Sequence, residues 1–130
     1  MPSVIDAILD TSVLLAFAQG ERHDVDADKL LSGAAVSAIS IAEFRAKLID
    51  RQVPVEDVDE TLRDFNLKIL PFGPAEAVAA STLIPIARPL NIGLGDCACI
   101  ATGLVAGLTV WTADRDWAKL DIDAKIELIR

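Results

Sequence analysis

Val4-Ile5-Asp6-Ala7-Ile8-Leu9-Asp10-Thr11-Ser12 runs without interruption into Val13-Leu14-Leu15-Ala16-Phe17. A short apolar run ends on an acid, passes through two hydroxyl residues and turns apolar again. This order reads as a buried strand, a tight turn and a helix. Open α/β sheets place their ligand sites at the carboxyl ends of strands, which is where Asp10 falls. Three further acids, Glu43, Asp96 and Asp114, occupy comparable junctions.

The remaining chain repeats the alternation. Ser12 to Ala18 and Asp24 to Leu31 are expected helices, the second closed by Gly33. Ala34 to Ala38 is an apolar strand. Ser40-Ile41-Ala42-Glu43 opens a helix running to Asp50, and Val55, Val58, Leu62 and Phe65 recur at helical spacing after the break at Pro54. Leu67 to Leu70 is a third strand. A helix from Gly73-Pro74 is kinked or ended by Pro85, and Pro89 to Gly95 is a loop. Asp96 to Ala106 is a helix whose Gly103, with Gly107 after it, would allow close packing. Leu108 to Thr112 and Lys125 to Ile129 complete five strands. Strands alternating with helices imply an α/β fold with a mostly parallel sheet covered on both faces, in one domain spanning 1–130.

Charge and composition narrow the partners. The chain of 130 residues carries a net charge of −8, which argues against a broad basic surface for duplex DNA. It leaves room for a small nucleic-acid site whose acids are neutralised by a metal. No apolar run approaches the roughly 18 residues of a membrane span, and the amino terminus lacks the order of a signal peptide. A cytoplasmic protein with no membrane contact is expected. Cys97 and Cys99, at i, i+2, point to different helix faces and are read as buried small residues. His23, the only histidine, is read as solvated.

Each acid has a structural explanation. Asp10 suits an N-cap, and Ser40 with Glu43 fits a capping box. Asp96 complements a helix dipole, and Asp114 begins a turn. Yet Ser and Thr cap as well as acids do, and an acid stands at every junction. Two carboxylates about 4 Å apart repel by roughly 4 kcal/mol at an effective dielectric near 20. Mg²⁺ or Mn²⁺ would offset that repulsion, since hard cations prefer oxygen ligands. Such a site activates water and stabilises an in-line phosphoryl displacement without His or Lys.

Four motifs carry a resemblance to a known family: Leu9-Asp10-Thr11-Ser12-Val13-Leu14-Leu15-Ala16, Val36-Ser37-Ala38-Ile39-Ser40-Ile41-Ala42-Glu43, Leu94-Gly95-Asp96-Cys97-Ala98-Cys99-Ile100-Ala101 and Thr112-Ala113-Asp114-Arg115-Asp116-Trp117. In order and spacing the chain closely resembles PIN-domain ribonucleases of the toxin type, the VapC-like half of toxin–antitoxin pairs. The resemblance implies a five-stranded parallel sheet in a three-layer α/β/α sandwich. It further implies metal-dependent endonucleolytic cleavage of RNA, homodimerisation and inhibition by a cognate antitoxin. Asp10, Glu43, Asp96 and Asp114 fall on the family's acidic quartet, with Asp10, Asp96 and Asp114 as metal ligands. Ser12 falls on the hydroxyl position supporting the first acid. Cys97 departs from the family's frequent Arg, which removes a phosphate contact but no metal ligand.

Two other classes of function compete. A non-catalytic binding module could keep the fold without cleavage. An aspartate-based phosphotransfer domain also begins with a strand ending in Asp. A phosphatase of that kind needs a second acid where Ser12 stands, and a receiver needs a late Lys, for which Lys119 and Lys125 are candidates. For partners, the first helix and the Val55–Phe65 helix carry more apolar residues than short surface helices require. One of them is expected to form the homodimer, with the antitoxin on the remaining groove.

Overall fold

The computed structural model describes residues 4–130. The chain runs β1 (Ala7–Leu9), α1 (Thr11–Gln19), α2 (Ala27–Ser32), β2 (Ala34–Ser37), α3 (Ala38–Asp50) and α4 (Val55–Phe65). It continues with β3 (Lys68–Leu70), α5 (Pro74–Ala87), α6 (Leu94–Ala106), β4 (Thr109–Thr112) and β5 (Ile126–Leu128). Short 3-10 turns occupy Arg88–Leu90 and Arg115–Lys119. Every strand pairing is parallel, in the order β3-β2-β1-β4-β5. The five-stranded parallel sheet expected from the alternation is present.

Alternation along the central strands builds two cores. Ile8 and Val110 pack with Ala80, Leu83 and Ile100 of α5 and α6. Their neighbours Leu9 and Trp111 pack with Leu14, Phe44 and Val58 of α1, α3 and α4. The sheet therefore has a helical layer on each face. Gly103 permits a close approach between α6 and the sheet, since a Cβ there would lie 2.6 Å from Val110 Cγ2 and 3.0 Å from Ile8 Cγ2.

Several local expectations change. α3 starts at Ala38, not Ser40, because the Ser37 hydroxyl accepts from the Ile39 N–H at 3.2 Å and caps the helix. Glu43 consequently sits in the second turn, and the Ser40–Glu43 capping box does not form. Pro85 neither breaks nor ends α5; the helix continues to Ala87, with Pro85 and Ser81 both exposed. The Ser81 carbonyl, left without its N–H partner, is thus on the solvent side. The expected loop from Pro89 to Gly95 is shorter than read, since Arg88–Leu90 form a 3-10 turn and α6 already begins at Leu94. Gly107 is not a packing position but the cap that ends α6, at φ 71°. His23 is half-buried and meets the Phe17 ring edge-on at 5.0 Å. Cys97 and Cys99 are both free and buried, as read.

The apolar surplus of the first helix is used inside the chain. Val13, Leu14, Leu15 and Ala16 are all buried in the core, so they supply no dimer surface. Val58 of α4 is likewise buried. An uncharged outer surface lies instead on α5, where Ala75, Val78, Thr82, Pro85 and Ile86 are exposed.

Candidate active site: an acid-lined sheet edge

Asp10 follows the last residue of β1, and the parallel register pairs Leu9 with Trp111. The Asp10 N–H bonds the Trp111 carbonyl at 2.9 Å, which brings Asp10 alongside the end of β4. Its carboxylate caps α1, accepting from the Ser12 N–H at 3.4 Å. The Ser12 hydroxyl donates to the same oxygen, Oδ2, at 2.6 Å, and the Thr112 hydroxyl does so at 3.1 Å. Asp10 is only 4% exposed. Burial pushes its pKa up from 3.8 to about 6, the Ser12 hydroxyl opposes that rise, and the Asp96 charge adds to it.

Asp96 is the third residue of α6, and its Oδ2 accepts from the Gly93 N–H at 3.3 Å. Burial raises its pKa most; the Gly93 bond opposes that, and the Asp114 charge raises it further. Glu43 reaches the same region from α3, half-buried. Burial raises its pKa first, then the charge of Asp96. The Thr11 hydroxyl lies 3.4 Å from Glu43 Oε1 and 3.3 Å from the Ser40 carbonyl. Asp114 opens the 3-10 turn after β4, accepting from the Asp116 N–H at 2.9 Å. Its own N–H bonds Thr112 Oγ1 at 3.1 Å.

Capping and clustering therefore coexist. Asp10, Asp96 and Asp114 each cap a helical start, and the three starts, with Glu43, converge on one edge of the sheet. None of the four acids has a Lys or Arg ion pair among the described residues. Asp116 is paired outward, to Lys119 at 2.8 Å. The donors are all oxygen, the set that hard divalent cations take. Among the described residues no three Asp, Glu, His or Cys groups are already drawn into a coordinating cluster. The acids stand as repelling neighbours, not as a closed cage.

Two hydroxyl residues were not singled out by sequence reasoning: Thr11, beside Glu43, and Thr112, beside Asp10. A signal existed for Thr112. Asp10-Thr11-Ser12 and Thr112-Ala113-Asp114 place a hydroxyl two residues from an acid in mirrored order, at the ends of adjacent strands. A cleft of about 660 Å³ is elsewhere. It lies at the amino-terminal end of the strands, between Asp6, Lys29, Thr109, Trp111, Lys125 and Glu127. None of the four acids lines it, and the chemistry argues for the acidic edge over this cleft.

A parallel sheet, a helical layer on each face and four acids at the carboxyl edge define an α/β/α sandwich. The PIN domain family model matches residues 7–123, and the chain belongs to that family. Among solved structures, the DNA-bound VapBC of Salmonella typhimurium is 17% identical, with TM-score 0.79 over 98% of this chain and 100% of that chain. VapBC2 of Rickettsia felis, bound to a promoter DNA fragment, is 15% identical, with TM-score 0.75 over 95% of this chain and 98% of that one. VapBC-5 of Mycobacterium tuberculosis, from the VapBC family of toxin–antitoxin systems, is 25% identical, with TM-score 0.66 over 95% and 98%. No curated protein matches the sequence.

Proposed function

We propose that this chain is a VapC-like toxin, a single nuclease domain over 1–130 that cleaves RNA endonucleolytically using Mg²⁺ or Mn²⁺. The observation that carries the reading is the convergence of four carboxylates, none of them in an ion pair among the described residues, on the carboxyl edge of a PIN fold. Asp10, Asp96 and Asp114 would hold the cation. Bound there, it supplies the Lewis acidity for an in-line phosphoryl displacement by water. Glu43, whose carboxyl is held above its ordinary pKa by burial and by the Asp96 charge, is placed to accept a proton from the attacking water. Ser12 keeps Asp10 oriented.

The partner assignments follow the same reading. A small antitoxin encoded beside the toxin would neutralise it, as the VapBC relatives are toxin–antitoxin assemblies. A homodimer would form through the uncharged outer face of α5. Two copies of a chain with net charge −8 repel least where neither contributes charge. No helix among the described residues is long and apolar enough to cross a membrane.

One observation favours the non-catalytic binding module: the acids are not gathered into a ready ligand cluster. Neither lysine of the phosphotransfer alternative pairs with Asp10 among the described residues. Lys119 is paired with Asp116, and Lys125 lines the cleft at the other end of the sheet. Incubating purified protein with total RNA and Mg²⁺ or Mn²⁺, then mapping the cut ends, tests the nuclease. Chelator and Asp10→Asn should each abolish cutting. Cleavage persisting in excess chelator would overturn the mechanism, and metal binding without any cleavage would favour the binding module.

A further inference from the structure

The hydrogen bonds around Asp10 can be counted proton by proton. Thr112 Oγ1 accepts from the Asp114 N–H at 3.1 Å, which leaves its own proton for Asp10 Oδ2, also 3.1 Å away. Ser12 Oγ accepts from the Ala113 N–H at 3.0 Å and sends its proton to the same oxygen at 2.6 Å. A hydroxyl has one proton to give. With both protons on Oδ2, the 3.3 Å approach of Ser12 Oγ to Thr112 Oγ1 is a contact between two committed donors. Among the described residues no donor reaches Asp10 Oδ1.

The placement of Thr112 is built into the fold. It ends β4, pairs with Leu128 in β5 and is fully buried. A β-branched side chain there has little χ1 freedom, so its hydroxyl is held where β1 delivers Asp10. The same hydroxyl grips the backbone of Asp114. One side chain thus joins two acids that are 104 residues apart in the chain.

We propose that Thr112 is a positioning residue: it holds Oδ2 of Asp10, reserves Oδ1 for the divalent cation, and fixes Asp114 relative to that carboxylate. The inference rests on the metal-site reading above and adds to it a residue that need not touch the cation.

Mn²⁺ alone is the probe, followed by calorimetric titration and by melts with chelator or Mn²⁺. Thr112→Val removes the hydroxyl at nearly constant volume. It should weaken Mn²⁺ binding roughly 10- to 100-fold, the usual cost of losing a group that orients a metal ligand. The rise in Tm produced by Mn²⁺ should shrink accordingly, and Thr112→Ser should restore most of both. Thr102 is the control. Its buried hydroxyl bonds the Ala98 carbonyl within α6 at 2.7 Å, so Thr102→Val should lower the melt yet leave Mn²⁺ affinity intact. Should Thr112→Val fail to fold, Thr112→Ala makes the same comparison. Wild-type Mn²⁺ affinity in the hydroxyl-free variant would overturn the role of Thr112. A wild-type chain that binds no Mn²⁺ would overturn the metal reading itself, and this inference with it.

Discussion

The carboxylate of Glu43 occupies the space that a side chain at Gly95 would need: a Cβ there would fall 2.6 Å from Glu43 Oε2. α3 and the first turn of α6 meet at this point, and the missing side chain lets the acid of one helix stand against the other. The obstructing atom is the tip of a flexible side chain, so it can swing away at small cost. Gly95→Ala should therefore leave stability level or raised by up to about 1 kcal/mol, since Ala suits a helix better than Gly. RNA cleavage should fall by roughly 100-fold, as expected for a misplaced catalytic group. A paired denaturant melt and cleavage assay checks this; a variant with full activity would show that Glu43 need not stand where it does.

Burial of Asp10 gives metal-free stability a definite pH dependence. Its folded pKa, about 6, lies above the ordinary 3.8, so the folded state holds the proton more tightly. The contribution is fully present below pH 3.8 and is lost as the pH rises through 6. The gap corresponds to roughly 3 kcal/mol at full titration. In chelator, the difference in stability between wild type and Asp10→Asn should shift against the wild type as the pH rises from 3.8 through about 6. Added Mg²⁺ should reverse the trend, because it binds the ionised form. Denaturant melts across the range decide; a flat difference would mean that Asp10 is not desolvated as its surroundings imply.

Asp96 is both a cap and a member of the cluster, and the two roles oppose each other. Its bond from Gly93 favours the charge, whereas burial and the Asp114 charge disfavour it, and the net pKa is raised. Asp96→Asn should then be more stable than wild type in chelator at neutral pH, and should lose the stabilisation that Mg²⁺ confers on the folded state. A less stable variant with an unchanged Mg²⁺ effect would return Asp96 to the role of helix cap alone.

Val78, 67% exposed on α5, tests the homodimer. Val78→Glu places like charges across the neutral face of both copies while touching nothing in the core. Wild type should sediment as a dimer at micromolar concentration and the variant as a monomer, with stability within about 0.5 kcal/mol. A monomeric wild type would remove the dimer.

What the sequence showed, and what it hid, follows from the range of the interactions. Asp10 was legible because a buried strand followed by an acid and a helix is a local pattern. The start of α3 was not, since the apolar run from Ala34 continues to Ala38 and conceals that Ser37 is the cap. The apolar residues of α1 looked surplus because nothing local shows a helix buried between the sheet and α3. Thr112 was present in a recognised motif, but its role depends on β4 lying beside β1. That neighbourhood is set by the sheet order, across about a hundred residues, and spacing alone does not reveal it. The uncharged face of α5 was readable as composition, although Pro85 disguised the helix that presents it.

That sheet order also has a consequence during synthesis. β1 emerges first, yet its neighbour β4 ends at Thr112 of 130 residues. A chain growing at roughly 5–20 residues per second holds Asp10 and Glu43 for most of that time without Asp96 or Asp114. The two halves of the acidic edge meet only once the chain has been translated past Asp114. Premature termination before Asp114 therefore yields fragments with no complete acidic edge.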